Sequence, residues 1–394
     1  MKSHALSQHV PILRSRPHTA TWLRFLSDRF LWLPIGAAIA LVWANTYAES
    51  YFRAAHALAF PVNEIGMALF LGLITQESID AIMPGGALHT WRRWAMPIVA
   101  AAGGTLGAAF VFLGYVSGAH EAVLAQAWPV ACAIDIAAGY YVLKLIFRRS
   151  SALPFFLVLA MASNAAGVAA LALWPAFTPE HLGGAVLLMA AVGLAATMRR
   201  SHVRSFWPYI ALCGTLSWAA FYWAGVHPAL ALIPIVPFLR HAPRSLDLFA
   251  EPADDGAVHH AEHEWHVGVQ VVLFLFGLVN AGVILRGYDT GTWAVLSAAL
   301  LGRPLGVLAA VGLAMALGLR LPRSIGWREL TVIALATSSG FTFALFTATS
   351  LLPVGGVLTQ IKVGALSTVL GAVAAYIVAR LLRVGRFGGH TARP

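Results

Sequence analysis

Residues 95–116 read AMPIVAAAGGTLGAAFVFLGYV, contain no charged side chain and are long enough to cross a lipid bilayer as a helix. A helix at a soluble protein's surface would need a polar face, which this stretch lacks. Over the whole chain 59% of the 394 residues are hydrophobic and 11% are charged, against about 25% charged in an average soluble domain. This composition excludes a soluble globular enzyme and a disordered chain.

Similar apolar runs recur along the chain. They lie near 30–47, 58–78, 95–116, 125–147, 152–174, 182–198, 206–222, 224–239, 266–286, 291–317, 329–352 and 355–382. The runs are continuous instead of alternating, which favours helices over the strands of a membrane β-barrel. We therefore predict an all-α polytopic membrane protein. Its transmembrane domain of about twelve helices spans 30–385, flanked by cytoplasmic segments 1–29 and 386–394.

The basic residues predict the orientation. If the N-terminus is cytoplasmic, 21 of the 26 Lys and Arg lie on the cytoplasmic side, and only Arg53 and Arg286 lie outside. Such a bias is the positive-inside signal of membrane proteins. The formal charge of +10 is thus spread over the ends of the spans, and we expect no nucleic-acid partner.

Residues 240–266 are the one long polar segment between spans, and they are rich in acids and histidines. The orientation places this segment in the cytoplasm. Glu262, His263 and His266 could belong to a pH-responsive element, because histidine titrates between about pH 5 and 8. A plain solvated loop and a metal site are the alternatives, and we expect no metal. Neither HExxH nor GxSxG occurs, so we expect neither an enzyme nor a cofactor.

Several charged residues fall within or at the edges of the apolar runs. Asp135 in VACAIDIAAG and Arg303 in LLGRPLGV lie deepest, Glu64 lies near an outer edge, and Glu77 lies near an inner edge. Charge inside a membrane is costly and usually has a role. Asp135 and Arg303 could form an ion pair between helices or could line an ion pathway.

Two runs carry signals of interruption. The fourth has Pro129 before AIDIAAG, and the eleventh contains ATSSGFTFALF at residues 336–346. Small polar residues and glycine let a membrane helix unwind where its backbone lines a cavity. Secondary transporters often place such breaks in two inverted repeats, although glycine and serine also occur at ordinary helix contacts.

The order of these motifs resembles the NhaA-type Na+/H+ antiporter family over about residues 30–385. VNEIGMALFLGL, WPVACAIDIAAG, LPFFLVLAMASNAAGV, AGVHPALA, LLGRPLGV and SSGFTFALF follow one another in that family's sequence. The resemblance implies twelve helices with cytoplasmic termini, and inverted repeats whose fourth and eleventh spans are discontinuous and cross. It also implies exchange of Na+ or Li+ for H+ by a homodimer in the bilayer of a bacterial inner membrane.

Matched residue by residue, the family's fourth-span Asp is Asp135, and its tenth-span Lys is replaced by Arg303. The fifth-span pair of carboxylates, which binds the cation in the family, corresponds to Asn164 and Ala165. Arginine keeps its proton over the working range. We therefore expect little or no electrogenic exchange. If the chain does exchange Na+, then Ser163, Thr342 and the Asp135 carboxylate are the candidate ligands.

A divergent paralogue without Na+/H+ exchange, carrying another solute or acting in regulation, is the alternative. We predict that aspartates placed at both 164 and 165 raise Na+- or Li+-dependent proton flux above that of the parent, if the funnel around Ile74 still admits cations.

Overall fold

The computed structural model describes residues 32–82, 91–147, 150–173, 182–203, 205, 207–239, 257–285, 287–322 and 324–388. Within these ranges the chain forms helices and turns and contains no β-strand. The prediction of an all-α fold is confirmed. The predicted flanking segment 1–29 and most of 386–394 lie outside the described residues.

The α-helices follow one another along almost the whole described chain. They are α1 (Trp32–Thr46), α2 (Ala48–Phe60), α3 (Met67–Ile82), α4 (Trp91–Gly118), α5 (Trp128–Ala131), α6 (Ile136–Phe147), α7 (Ala152–Leu173), α8 (Leu182–Arg200), α9 (Thr215–Trp223), α10 (Ala257–Asn280), α11 (Thr290–Ser297), α12 (Arg303–Ala316), α13 (Trp327–Ala336), α14 (Phe341–Leu351), α15 (Gly356–Ser367) and α16 (Val369–Leu381). Wider π-helical turns connect α2 to α3, precede α9 and connect α11 to α12.

Among the described residues, five continuous helices have the length and hydropathy of a membrane span. Two bent pairs meet the same criterion when each pair counts as one span, which gives up to seven. Shorter apolar helices, including α1 and part of α10, occupy several of the other predicted runs. The polytopic architecture is thus present, with several spans shorter or more irregular than their apolar runs.

The eighth predicted run, near 224–239, is not an α-helix. It consists of turns and two short 3₁₀ segments, Pro228–Leu230 and Val236–Phe238. Three prolines within sixteen residues explain the difference, because each removes a backbone donor and obstructs the preceding helical turn. The segment is nevertheless buried, since Leu230, Ile235 and Val236 are nearly inaccessible to solvent.

The polar segment 240–266 is shorter than predicted, because α10 already begins at Ala257. Glu262, His263 and His266 therefore lie on the first half of this helix, and their side chains lie outside the described part of the structure. The same helix ends at Asn280, before the predicted boundary at 286.

Helices α4 and α12 pack closely through facing glycines. A Cβ atom added to Gly103 would collide with the backbone of Gly306 in α12, and one added to Gly107 would collide with Gly306 and with Gly302, which directly precedes α12. Small residues of this kind allow membrane helices to approach to backbone contact. The contact positions the start of α12, and with it Arg303, beside the first broken span.

Candidate functional site

Two broken spans meet inside the bundle. The segment Ala122–Ala131 bends by 48° against α6, and α13 bends by 43° against α14. The non-helical residues between these halves touch, because Asp135 N–H donates to Ser339 O at 2.6 Å. A Cβ atom on Gly340 would lie 2.7 Å from Ala133 O, so only glycine permits this approach. The predicted interruptions are present, and the two breaks cross.

Asp135 caps two helices at once. Its Oδ1 atom accepts from Ala138 N–H at 3.0 Å, in the first turn of α6. Its Oδ2 atom accepts from Thr342 N–H at 3.1 Å and from the Thr342 hydroxyl at 2.7 Å, in the first turn of α14. Both helix N-termini carry partial positive charge. A carboxylate that is 4% exposed is therefore compensated by donors and helix dipoles.

The Arg303 side chain lies at a helix C-terminus, whereas Asp135 caps helix N-termini. Its Nη2 atom donates to Ala131 O at 2.9 Å, at the C-terminus of α5, and its Nη1 atom donates to the Ser163 hydroxyl at 3.2 Å. The side chain is 1% exposed, and its Nε atom has no hydrogen-bond partner among the described residues. A helix C-terminus is partially negative, so a cation is stabilised there. In the described structure no ion pair joins Arg303 to Asp135, which leaves the inter-helix ion pair unsupported.

Asn164 and Ser163 reach the same crossing from α7. The Asn164 amide accepts from Ile134 N–H at 2.9 Å and donates to Ile134 O at 2.8 Å. The Ser163 hydroxyl pairs with Thr105 Oγ1 at 3.0 Å and donates to Cys132 O at 3.3 Å. Both side chains are buried and engage the broken segment directly. Ala165, the second position of the predicted pair, is exposed and points away from the crossing.

A cavity of about 430 Å³ borders the crossing, and Asp135 and Thr342 are among its few polar lining residues. The other lining side chains are almost all apolar and come from α1, α3, α6, α7, α10, α14, α15 and α16. Ile74 and Tyr141 belong to this lining. The cavity therefore borders the Asp135 carboxylate directly.

Glu64, predicted as a pathway-edge residue, lies away from this cavity. Its Oε1 atom is 3.9 Å from His227 Nε2, and its Oε2 atom is buried without a partner among the described residues. The His227 ring also packs edge-on against Phe346 of α14. His227 lies in the quoted AGVHPALA motif, but nothing in the sequence paired it with Glu64. Glu77 lies on α3, and its side chain is outside the described residues.

Comparison with known protein families shows the family to which the chain belongs. The family model described as Na+/H+ antiporter 1 matches residues 29–381. The chain belongs to this family. The Na+/H+ antiporter 1 match covers all the helices that form the crossing.

Curated relatives and solved structures are similar over nearly the whole length. The Na(+)/H(+) antiporter NhaA of Desulfitobacterium hafniense (strain DSM 10664 / DCB-2) is 36% identical over 374 residues, which cover 92% of this chain and 96% of the relative. The Na(+)/H(+) antiporter NhaA 1 of Pelobacter propionicus is 37% identical over 380 residues, which cover 92% of this chain and 98% of the relative. The sodium proton antiporter MjNhaP1 of Methanocaldococcus jannaschii has a TM-score of 0.57 at 14% identity, covering 94% of this chain and 95% of that one. This last likeness concerns the fold alone.

Proposed function

We propose that this chain is a secondary transporter that exchanges Na+ or Li+ for H+ in the bilayer of a bacterial inner membrane. Its family and the names of its relatives support this activity over the alternative of a paralogue without exchange. The proposal includes cytoplasmic termini, as the Lys and Arg distribution predicts. It also includes assembly as a homodimer, which the family resemblance implies.

The observation that carries the proposal is the position of Asp135 in the lining of the cavity at the crossing. Hard cations prefer oxygen ligands, and a cation in a poorly hydrated site needs a compensating negative charge. The Asp135 carboxylate supplies the charge, and the Thr342 hydroxyl beside it supplies a further oxygen. A carboxylate has about four acceptor positions. Three hydrogen bonds occupy Asp135, so a position remains for the ion.

The same carboxylate would carry the proton. A proton and a sodium ion both neutralise one negative charge, so they compete for Asp135. Arg303 keeps its charge throughout the cycle because a guanidinium does not release its proton in this range. With Asn164 and Ala165 unable to titrate, each cycle moves one cation against one proton. The exchange is therefore electroneutral.

Transport by the purified protein in liposomes tests the proposal. A preset pH gradient should collapse when Na+ or Li+ is added, at a rate that stays the same when a potassium ionophore holds the membrane potential at zero. Absence of cation-dependent proton flux would refute the transport activity. A flux that follows the membrane potential would refute the single-carboxylate mechanism.

A matched pair of acid-to-amide variants locates the ion site. Asp135→Asn should abolish cation-dependent flux, because the amide carries no charge and sets its NH₂ group against backbone donors. Asp289→Asn should keep the flux, because Asp289 is exposed and its side chain makes no cap hydrogen bond. Equal loss in both variants would contradict the assignment of Asp135.

A further inference from the structure

Each broken span is held by a side chain from the next span of the chain. Asn164 on α7 accepts from Ile134 N–H in the first break, thirty residues earlier. Thr368, between α15 and α16, accepts from Gly340 N–H in the second break, twenty-eight residues earlier, at 3.1 Å. In both broken spans, a side-chain oxygen therefore accepts from a backbone N–H of the break at nearly the same separation along the sequence.

Both side chains are committed to these contacts. The Thr368 hydroxyl donates to Ala365 O at 2.6 Å, which leaves its lone pairs to accept from Gly340. The Asn164 amide uses its oxygen and its NH₂ group on the two backbone groups of Ile134. An unwound segment in a membrane must satisfy its backbone groups from such partners.

The space around Asn164 also argues against an ion ligand at this position. The void that it lines is about 10 Å³, about the size that holds one water molecule. Asn164 does not line the larger cavity that reaches Asp135. A hydrated or partly hydrated cation therefore has no room beside the amide.

We propose that Asn164 and Thr368 are a pair of positioning residues, which hold the two breaks in register and so place Asp135 for the ion. We call each of these side-chain-to-backbone contacts a clamp. Ile134 directly precedes Asp135, so the Asn164 clamp fixes the position of the backbone from which the carboxylate projects. Gly340 lies two residues before Thr342, so the Thr368 clamp sets the other partner of that carboxylate. The inference rests on the proposed function for its role in transport, but the clamps themselves can be tested without transport.

The contact argues against the sequence-based prediction that aspartate at position 164, together with aspartate at 165, raises the flux. A protonated aspartic acid can accept from Ile134 N–H and donate to Ile134 O, as the amide does. An ionised aspartate cannot donate, and it would face the Ile134 carbonyl with like partial charge. Asp135 and Arg303 are the charged residues described at the crossing, and both are unchanged in every variant below.

Thermal melting of the purified protein against pH tests the first clamp. Asn164→Asp should melt close to the parent at about pH 5 and well below it at about pH 8, because ionisation removes the donor. Asn164→Leu removes both hydrogen bonds and should melt below the parent by the same amount at either pH. An Asn164→Asp variant as stable as the parent at both pH values would overturn the clamp.

Transport kinetics test the positioning role. Thr368→Val removes the acceptor, and we expect its apparent KM for Na+ to rise about tenfold with a smaller change in maximal rate. Thr368→Ser keeps the hydroxyl and should retain the parent KM. Equal KM values for Val and Ser, or an Asn164→Asp variant that exchanges Na+ faster than the parent, would overturn the proposal. If the parent itself exchanges no cation, the proposed function fails while the melting experiment still decides the clamp.

Discussion

At the scale of single residues, the two buried charges serve different ends of the broken helices. Asp135 accepts from the first turns of α6 and α14, and Arg303 donates to the last carbonyl of α5. Each charge is therefore compensated by helix dipoles and hydrogen bonds instead of by the other charge. This arrangement leaves the Asp135 carboxylate available to an ion from the cavity.

The two contacts of Arg303 lead to a prediction. Arg303→Met should lower the free energy of unfolding by about 1–3 kcal/mol, because Ala131 O and Ser163 lose their buried donor. Arg303→Lys keeps the charge but not the two-pronged geometry, and it should lose less. Thermal melting of both variants in the same detergent measures the order. A Met variant at least as stable as the Lys variant would contradict this account.

At the scale of elements, the crossing depends on the close approach of two unwound segments. Gly340→Ala places a methyl group 2.7 Å from Ala133 O, and neither segment can move without losing its hydrogen bonds. We expect a marked fall in melting temperature, on the order of the 1–3 kcal/mol typical of overpacking.

Gly114→Ala is the matched control for this prediction. Gly114 lies on α4, is exposed, and has no atom within 4 Å of the added methyl group. Alanine is a better helix former than glycine, so this variant should melt at or above the parent. Similar losses in the two variants would show that the crossing is not tightly packed.

The elements also show where sequence patterns suffice. Pro129 in the fourth run and the glycine and serines of the eleventh run correctly predicted the two breaks, because such residues weaken a helix locally. The first break itself, residues 132–135, contains none of these residue types, and side-chain partners from other helices hold it open. Hydropathy alone wrongly predicted a regular eighth helix near 224–239. An apolar run reports burial, and Pro228, Pro234 and Pro237 decide that this buried segment is a set of turns.

At the scale of the whole molecule, the orientation is open to a direct test. The native Cys132 and Cys213 are both buried, so the parent should resist a membrane-impermeant thiol reagent. Ala119 follows α4 and Ser201 follows α8, and both are exposed. With cytoplasmic termini, Ala119→Cys should react in intact cells, whereas Ser201→Cys should react only after permeabilisation. The reverse pattern would refute the predicted orientation.

The sequence by itself determined the class of the protein, its apolar segments and its family resemblance. A low charge content, continuous apolar runs and a biased distribution of Lys and Arg are properties of composition and order, which need no coordinates. The deep positions of Asp135 and Arg303 followed from the same runs. Asn164 was recognised only as a missing carboxylate.

Only the tertiary structure decided what these side chains do. The partners of Asp135 and Asn164 depend on how two breaks cross, and hydrogen bonds form over a few ångströms between residues far apart in the chain. Asn164 reaches Ile134 across thirty residues, and Thr342 reaches Asp135 across 207. Ala165, one residue further along α7, lies on a different face and takes no part. Helical periodicity sets adjacent residues about 100° apart, but only the packing of the helices decides which face meets the crossing.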